Sequence, residues 1–180
     1  KAVILCGGQG YRIRDVSEAV PKPLLQIGGK PILWHIMKIY AAYGVSEFVL
    51  CLGYKGWLIR EFFLNYLPMI SDFTIRLGRR HEIEFHDNVR EADWTVTLAD
   101  TGEETMTGAR LWRVRKYLEG QEHFCLTYGD GVADVDVGAL IERHRESGLA
   151  ATLTAVRVAG RFGELVSREG RVVEFNEKPA

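Results

Sequence analysis

The chain is 180 residues long, and 47% of them are hydrophobic. A chain of this length buries about two-thirds of its unfolded surface, so we expect one domain with one core over residues 1–180. Because 23 basic residues oppose 24 acidic ones, the net charge is −1 and no global basic field is available to hold a nucleic acid. Any phosphate group must therefore be bound locally.

The apolar segments indicate neither a membrane span nor a disulfide framework. No run approaches the roughly twenty apolar residues that a bilayer requires. The three cysteines, Cys6, Cys51 and Cys125, lie among apolar residues in or beside expected strands. We therefore expect buried, reduced thiols in a soluble, cytoplasmic protein without a membrane partner.

The first third of the chain alternates strands with helices. Residues 2–6 form an apolar run that ends at two glycines, which is typical of a strand buried on both faces. Residues 31–44 show helical spacing, residues 48–52 form a second apolar run, and residues 56–66 are amphipathic. This order predicts strand, helix, strand, helix and therefore a parallel sheet.

The pattern then changes between Ser71 and Ala99, where three short stretches alternate apolar and polar residues and are separated by turns. We predict a small antiparallel excursion, formed by residues 73–76, 82–85 and 94–98.

The remaining elements return to alternation and end in a hairpin. We predict a helix over residues 107–118 with Thr107 as N-cap, a strand over 124–127, a helix over 136–147 capped by Asp134 or Asp136, a strand over 150–156, and a hairpin of 163–166 and 171–175 that turns at Glu169-Gly170. The fold class is therefore α/β, with a Rossmann-like, doubly wound mixed sheet whose ligands bind at the carboxyl ends of the strands.

A glycine-rich loop follows the first strand, with the sequence Gly7-Gly8-Gln9-Gly10-Tyr11-Arg12. Its bare backbone could approach an anion, and the Arg12 guanidinium would add a fork of donors. The spacing fits neither the dinucleotide fingerprint nor the P-loop. From these residues alone, a simple turn and a phosphate loop stay equally open.

Lys22 stands between Pro21 and Pro23. The two prolines fix φ on either side, so we expect the ammonium group to be held in a stiff, extended segment. The alternative for this tripeptide alone is a polyproline-like loop with a solvated lysine.

Asp130 stands between Gly129 and Gly131 directly after an apolar strand. The glycines would let the backbone turn sharply and direct the carboxylate into a cleft, where a hard oxygen ligand suits Mg²⁺. The alternative is an aspartate that bonds its own backbone in a turn.

The loop from Leu5 to Arg12, followed by Pro21-Lys22-Pro23, resembles the signature of the nucleotidyltransferases that activate sugar phosphates. The resemblance implies the nucleotide-diphospho-sugar transferase fold, with Arg12 at the triphosphate, Lys22 at the reacting phosphate and Asp130 on the magnesium ion. Tyr11 departs from the family pattern, in which a threonine is usual. The residues that the resemblance places against the nucleotide are Leu5, Cys6, Gly7, Gly8, Gln9, Gly10, Tyr11 and Gly129.

The antiparallel excursion and three further segments are similar to the cytidylyltransferase branch of that family, which acts on CTP and glucose-1-phosphate. The similar phrases are residues 31–37, 53–56 and 100–111. By resemblance, Thr105, Gly108 and Arg110 would lie near the nucleotide, and Glu177 and Lys178 would bind the sugar phosphate.

The resemblance also implies features of the assembly and of the domain. Members of this family commonly form homo-oligomers. They also extend further than Ala180, so the chain is expected to be a nucleotidyltransferase domain that lacks its C-terminal part and the second metal-binding aspartate.

Three other functions stay open. They are a related thymidylyl- or uridylyltransferase acting on another hexose-1-phosphate, a metal-dependent glycosyltransferase, and a catalytically silent domain that binds a sugar nucleotide. The glycosyltransferase would usually require Asp-x-Asp after the central strand, where this chain has Gly129-Asp130-Gly131.

Overall fold

The computed structural model describes residues 1–8, 20–78, 82–87, 89–156 and 164–176. The chain forms two compact units, Lys1–Asp134 and Val135–Ala180. The strands of the first unit are β1 (Ala2–Leu5), β2 (Gln26–Ile27), β3 (Lys30–Pro31), β4 (Glu47–Leu52), β5 (Phe73–Ile75), β6 (Ile83–Phe85), β7 (Thr95–Asp100) and β8 (Cys125–Tyr128). Its helices are α1 (Ile32–Ala41), α2 (Gly56–Leu64), α3 (Tyr66–Ile70) and α4 (Thr107–Val114).

A four-stranded parallel sheet forms the centre of the first unit, in the order β7-β4-β1-β8. Successive residues of β1 point to opposite faces. Ala2 and Ile4 pack in one apolar cluster with residues of α1 and α2, whereas Val3 and Leu5 pack in another with Val114 of α4. Helices therefore cover both faces of the sheet, and the predicted α/β, doubly wound class is confirmed.

Strand β7 corrects the sequence prediction for residues 94–98, which assigned them to the antiparallel excursion. It pairs in parallel with β4, from Thr95 opposite Glu47 to Asp100 opposite Leu52. The alternation arises because β7 is at the edge of the described sheet and Ala99 is its one buried residue. Alternating polarity indicates a partly exposed strand, but it does not indicate the direction of pairing. The excursion itself is confirmed for β5 and β6, which pair antiparallel.

The helices of the first unit differ in detail from the prediction. The predicted helix over 56–66 is two helices, because α2 ends before Asn65 and α3 follows it. The predicted helix over 107–118 ends at Val114 and continues as a 3-10 turn, Arg115–Tyr117. Thr107 is not the N-cap; Met106 occupies that position without a side-chain cap, so Thr107 is the first helical residue.

The second unit contains α5 (Val137–Ser147), β9 (Glu164–Arg168) and β10 (Arg171–Asn176). The predicted cap at Asp136 is confirmed, because its carboxylate accepts the Ala139 N–H at 2.9 Å. Strands β9 and β10 pair antiparallel, which confirms the hairpin. Both turn residues, Glu169 and Gly170, have the positive φ that a two-residue hairpin turn of type I′ requires.

The predicted strand over residues 150–156 is wrong, since the structure assigns no strand there and these residues join none of the described sheets. A strand needs a hydrogen-bonded neighbour, which an apolar run does not reveal. In the described part of the chain, no helix is long and apolar enough to cross a membrane. That residues 1–180 form one domain stays a prediction.

Candidate functional site

A cleft of about 210 Å³ lies in the first unit, beside the carboxyl ends of β1 and β8. In an open α/β sheet, this edge is where ligands bind. The residues that line the cleft are Leu5, Cys6, Gly7, Gly8, Lys22, Pro23, Thr105, Met106, Thr107, Arg110, Tyr128 and Asp130. Among the described residues, the cleft therefore brings together the first two residues of the glycine loop, the proline-framed lysine and the glycine-framed aspartate.

Lys22 reaches Asp130 across the cleft, with 3.8 Å between Nζ and Oδ2. Their side chains are 19% and 43% exposed, respectively. Lys22 begins a 3-10 turn in which the Leu24 N–H donates to the Pro21 carbonyl at 2.8 Å. The expected extended conformation of Lys22 is therefore wrong: the prolines produce a tight turn, and the turn holds the ammonium group toward the aspartate.

Gly129 places Asp130 directly beside β1. Its N–H donates to the Leu5 carbonyl at 3.0 Å, and a Cβ at this position would lie 2.8 Å from Cys6 Sγ. Neither Gly129 nor Gly131 has a positive φ. Gly129 is thus required for a close approach between neighbouring strands, rather than for the sharp turn that the sequence suggested.

Asp130 is the described residue that best fits a magnesium ion at this site. Mg²⁺ in proteins is usually held by one or two carboxylates together with substrate phosphates and water. In the described ranges, no group of three or more His, Cys, Asp or Glu side chains could hold a metal ion. One half-exposed carboxylate is enough for a metal that a nucleotide brings with it, so the residues present fit the ion, which itself stays a prediction.

Arg110 belongs to α4 and lines the cleft, and it is 6% exposed. Its Nη2 donates to the carbonyl oxygens of Gly7 at 3.0 Å and Glu103 at 2.9 Å. Its Nη1 donates to Thr101 Oγ1 at 2.9 Å and to the Leu52 carbonyl at 3.2 Å. One guanidinium group therefore connects the last residue of β4 with the segments that follow β1 and β7.

Two glycines make room for this guanidinium group. The three heavy atoms nearest to a Cβ placed on Gly7 all belong to Arg110, and a Cβ on Gly53 would lie 2.5 Å from Arg110 Nη1. The sequence interpretation of Gly7 was bare backbone for an anion. The structure adds a different requirement, which is that Gly7 must admit an arginine side chain.

The other two middle-section residues have different surroundings. Thr105 lines the cleft, and its hydroxyl accepts a hydrogen bond from Arg113 Nη1 at 2.8 Å. Gly108 is the second residue of α4, has open space where a Cβ would stand, and is not among the residues that line the cleft.

The cysteine thiol in the cleft is not an activated nucleophile. Burial raises the pKa of Cys6 far above its usual value, so the thiol stays protonated. The three cysteines are unpaired; Cys6 and Cys51 are buried and Cys125 is half-buried. The expectation of reduced thiols agrees with these positions.

The model of the "Nucleotidyl transferase" family matches residues 1–180. The chain belongs to this family.

The relatives of this nucleotidyl transferase include enzymes for two different nucleotides. It is 50% identical to glucose-1-phosphate cytidylyltransferase of Salmonella typhimurium over 99% of this chain and 69% of the relative. It is 31% identical to mannose-1-phosphate guanylyltransferase 1 of Arabidopsis thaliana over 99% of this chain and 45% of the relative. Among solved structures it resembles HddC from Yersinia pseudotuberculosis complexed with GMP-PN, with a TM-score of 0.67, 25% identity, and coverage of 99% and 69%.

Several predicted site residues of this nucleotidyl transferase lie outside the described residues. They are Gln9, Gly10, Tyr11 and Arg12 of the glycine loop, and Glu177 and Lys178 of the final segment. Their assignments to the nucleotide and to the sugar phosphate stay predictions.

Sequence reasoning did not identify Thr101, which holds the Arg110 guanidinium group, and it did not connect Gly53 with the space that this group occupies. Thr101 is fully buried, and its hydroxyl donates to the Leu52 carbonyl at 2.6 Å. A signal was present, since Thr101 directly follows β7 just as Gly7 follows β1. It could have been used only if β7 had been recognised as a parallel strand, because that assignment places Thr101 at the ligand-binding edge.

Proposed function

We propose that this nucleotidyl transferase transfers CMP from CTP to glucose-1-phosphate and releases CDP-glucose and pyrophosphate. The observation that carries the proposal is the 50% identity to the Salmonella typhimurium glucose-1-phosphate cytidylyltransferase across 99% of this chain. The identity to the Arabidopsis thaliana guanylyltransferase over the same share of the chain is 31%. The difference favours cytidylyl transfer over guanylyl transfer.

The proposed reaction needs positioning more than it needs proton transfer. A phosphate oxygen of glucose-1-phosphate attacks the α-phosphorus of CTP, and pyrophosphate leaves in line. A phosphate monoester is already a nucleophile, so no general base is required. The protein must instead hold two polyanions together, although each close pair of like charges costs about 4 kcal/mol at an effective dielectric near 20.

Lys22 is the described cation best placed for this task. Lys22 lines the same cleft as Gly7 and Gly8, and the 3-10 turn fixes the backbone that carries its side chain. We propose that it stabilises the charge that develops on the reacting phosphate. Arg12 at the triphosphate and Lys178 at the sugar phosphate complete the proposed set of cations.

Asp130 is proposed to hold Mg²⁺ together with phosphate oxygens. The bound ion would neutralise phosphate charge, and Asp130 supplies the hard oxygen ligand that such an ion prefers. Its side chain is half-exposed on the cleft and lies 3.8 Å from Lys22. A metal-bound nucleotide at Asp130 would therefore also lie close to the Lys22 ammonium group.

Further residues, described and not described, are proposed to surround the substrates. Leu5, Cys6, Gly7, Gly8 and Thr105 all line the cleft. Gln9, Gly10, Tyr11, Gly108 and Gly129 are proposed to complete the nucleotide site, while Glu177 binds the sugar hydroxyls.

An assay of nucleotide and sugar preference tests the proposed function. The purified protein is incubated with magnesium, each of CTP, UTP, dTTP and GTP, and each of several hexose-1-phosphates, and released pyrophosphate and the sugar nucleotide are measured. We expect the highest kcat/KM for CTP with glucose-1-phosphate.

Other outcomes of this assay would select another function. A preference for dTTP or UTP would make the protein a related thymidylyl- or uridylyltransferase. Binding of CTP without pyrophosphate release would make it a catalytically silent nucleotide-binding domain.

We also propose that the protein is a homo-oligomer. Large apolar side chains are exposed on neighbouring elements of the first unit, namely Trp57, Leu64, Met69, Phe73, Ile75 and Ile83 on α2, α3, β5 and β6. Exposed apolar patches of this kind mark interaction surfaces. Light scattering that gives the mass of a monomer would contradict this proposal.

A cytoplasmic location is proposed as well, because unpaired thiols at Cys6, Cys51 and Cys125 suit a reducing compartment. Cell fractionation tests it, and recovery with a membrane or an extracellular fraction would contradict it.

A further inference from the structure

Arg110 differs from Lys22, the other described cation that lines the cleft, because its guanidinium group is hydrogen-bonded to four acceptors of the protein. Three of its four acceptors are backbone carbonyl oxygens and the fourth is the hydroxyl of Thr101. A guanidinium fork that grips several backbone segments fixes their relative positions, which a single-point ammonium group cannot do.

The Gly7 carbonyl oxygen is a shared acceptor in this network. It accepts hydrogen bonds from Arg110 Nη2 at 3.0 Å and from the Tyr54 N–H at 3.3 Å. Gly7 itself is buried, whereas Gly8 is exposed and has no atom within 4 Å of where a Cβ would stand. The peptide group between the two glycines therefore lies at the boundary between the protein interior and the cleft.

Peptide geometry then determines where the next donor points. The described residues contain no cis peptide bond, and a trans peptide directs its C=O and N–H groups to opposite sides of the chain. Because the Gly7 carbonyl faces the guanidinium group, the Gly8 N–H is directed away from it, toward the side on which Gly8 is exposed. An N–H group in that position is suited to donate to a phosphate oxygen in the cleft.

The positive charge of Arg110 also favours an anion near the Gly8 N–H group. Among the ion pairs of the described residues, none involves Arg110. Asp100, a carboxylate in its electrostatic surroundings, is 70% exposed and lies 3.9 Å from Arg60. The positive charge behind the glycine loop is therefore satisfied in hydrogen bonds without being neutralised by a close carboxylate.

We infer that Arg110 is a positioning residue, which holds the Gly7-Gly8 peptide so that the Gly8 N–H donates to a phosphate group in the cleft. The inference deepens the proposed function and rests on it, because it requires a phosphorylated ligand at this site. The glycines at positions 7 and 53 serve this arrangement by leaving room for the guanidinium group.

Nuclear magnetic resonance of the Gly8 amide tests the inference with inorganic tripolyphosphate as the probe. In the wild-type protein, the probe is expected to shift the Gly8 amide signal in a saturable titration. In Arg110→Lys, the charge is kept but the fork is lost, so we expect the dissociation constant read at Gly8 to rise by about tenfold or more. Arg115→Lys is the matched control, since Arg115 stacks on Trp112 at 4.2 Å and is not a residue of the cleft.

Steady-state kinetics add a readout that a merely structural role would not change. Loss of the positioned donor weakens binding of CTP, so Arg110→Lys is expected to raise KM for CTP by about tenfold while kcat falls less. Thermal unfolding shows whether the variant is folded. If Arg110→Lys does not fold, Thr101→Val replaces it, because this change removes a hydroxyl that holds Nη1 and should weaken tripolyphosphate binding at Gly8 by about threefold.

The results separate the inference from the proposed function. If folded Arg110→Lys, or Thr101→Val in its place, responds at Gly8 as the wild-type protein does, the inference is overturned even when CDP-glucose is formed. If the wild-type Gly8 amide ignores tripolyphosphate, the inference is likewise overturned. If the response depends on Arg110 but no CDP-glucose is formed with any substrate pair, the inference stands and the proposed function fails.

Discussion

Two pairs of lysine and carboxylate in the first unit have the same chemistry and opposite environments. Lys22 and Asp130 are 3.8 Å apart in the cleft, and the aspartate is 43% exposed. Lys38 and Glu91 are 3.1 Å apart, and the glutamate is 7% exposed. The first pair leaves its carboxylate accessible to a ligand, whereas the second leaves almost no carboxylate surface for one.

Aromatic side chains surround the Lys38–Glu91 pair and explain why so little of the Glu91 carboxylate is accessible. The Lys38 ammonium lies 5.6 Å from the ring centroids of both Trp34 and Trp94. Tyr66 donates its hydroxyl hydrogen to Glu91 Oε2 at 3.2 Å and accepts one from Trp34 Nε1 at 2.8 Å. Both carboxylate oxygens of Glu91 therefore have a hydrogen-bond partner, which is the condition for a buried carboxylate to be stable.

Charge type alone therefore does not separate a functional pair from a structural one. Exposure of the carboxylate and saturation of its oxygens do so. The Lys22–Asp130 pair should therefore control activity, and the Lys38–Glu91 pair should control stability.

The largest expected effect is on Asp130. Asp130→Asn should lower magnesium-dependent CDP-glucose synthesis by about 10³-fold or more, because an amide is a much poorer ligand for Mg²⁺. Activity is measured over a magnesium titration, with Asp134→Asn as the control for an exposed carboxylate nearby. Retained activity at ordinary magnesium would place the metal site elsewhere and remove the distinction between the two pairs.

Lys22→Ala is expected to lower kcat by about 10²-fold while the protein stays folded, since one donor to the transition state is lost. The matched change Lys38→Ala should leave kcat within about twofold, because Lys38 is bound to Glu91 in the structural cluster. Kinetics and thermal unfolding of both variants provide the test. Equal losses of kcat in the two variants would contradict the assignment.

Glu91→Gln should act on stability in place of activity. The change removes the charge that Lys38 and Tyr66 bind, and we expect it to lower the free energy of unfolding by about 1–2 kcal/mol, a range reduced because Lys38 is itself 40% exposed. Urea unfolding measures the difference, and kcat of the folded variant serves as the control. A variant as stable as the wild-type protein would show that the contacts of Glu91 with Lys38 and Tyr66 do not stabilise the fold.

The smallest expected effect concerns pH. Burial, as the main cause, raises the pKa of Tyr66 to about 12 from an ordinary value near 10. The unfolded chain therefore loses this proton first as the pH rises, so the contribution of Tyr66 to stability is complete below pH 10 and is lost between about pH 10 and 12.

At pH 11 the loss should approach about 1 kcal/mol, after allowance for the partial exposure of the ring. Urea unfolding at pH 9 and pH 11 measures it, and Tyr66→Phe should show a shallower pH dependence than the wild-type protein. The same pH dependence in both proteins would mean that the Tyr66 hydroxyl is not held in its neutral form by the fold.

Some elements could be predicted because their cause is local. Strand β1 is apolar throughout because helices cover both faces of the sheet at that point. The turn at Glu169-Gly170 and the cap at Asp136 depend on a few consecutive residues, whose backbone preferences are visible in the sequence. The two prolines beside Lys22 likewise indicated a restricted backbone, although they did not reveal that it forms a 3-10 turn.

Other elements could not be predicted because their cause is distant along the chain. The direction of β7 depends on its pairing with β4, and its residues read equally well as an antiparallel strand. The failure of residues 150–156 to form a strand has the same origin, since hydrogen-bonded neighbours decide it.

The sequence by itself determined the α/β class, the family and the residues from which a phosphate site could be built, because apolar runs, glycines and prolines act on their own neighbourhood. The tertiary structure decided which of them meet. It brought Lys22 to Asp130, which is 108 positions away, and Arg110 to Gly7, which is 103 positions away. Such contacts form when strands align in register, and no local preference of the chain specifies that register.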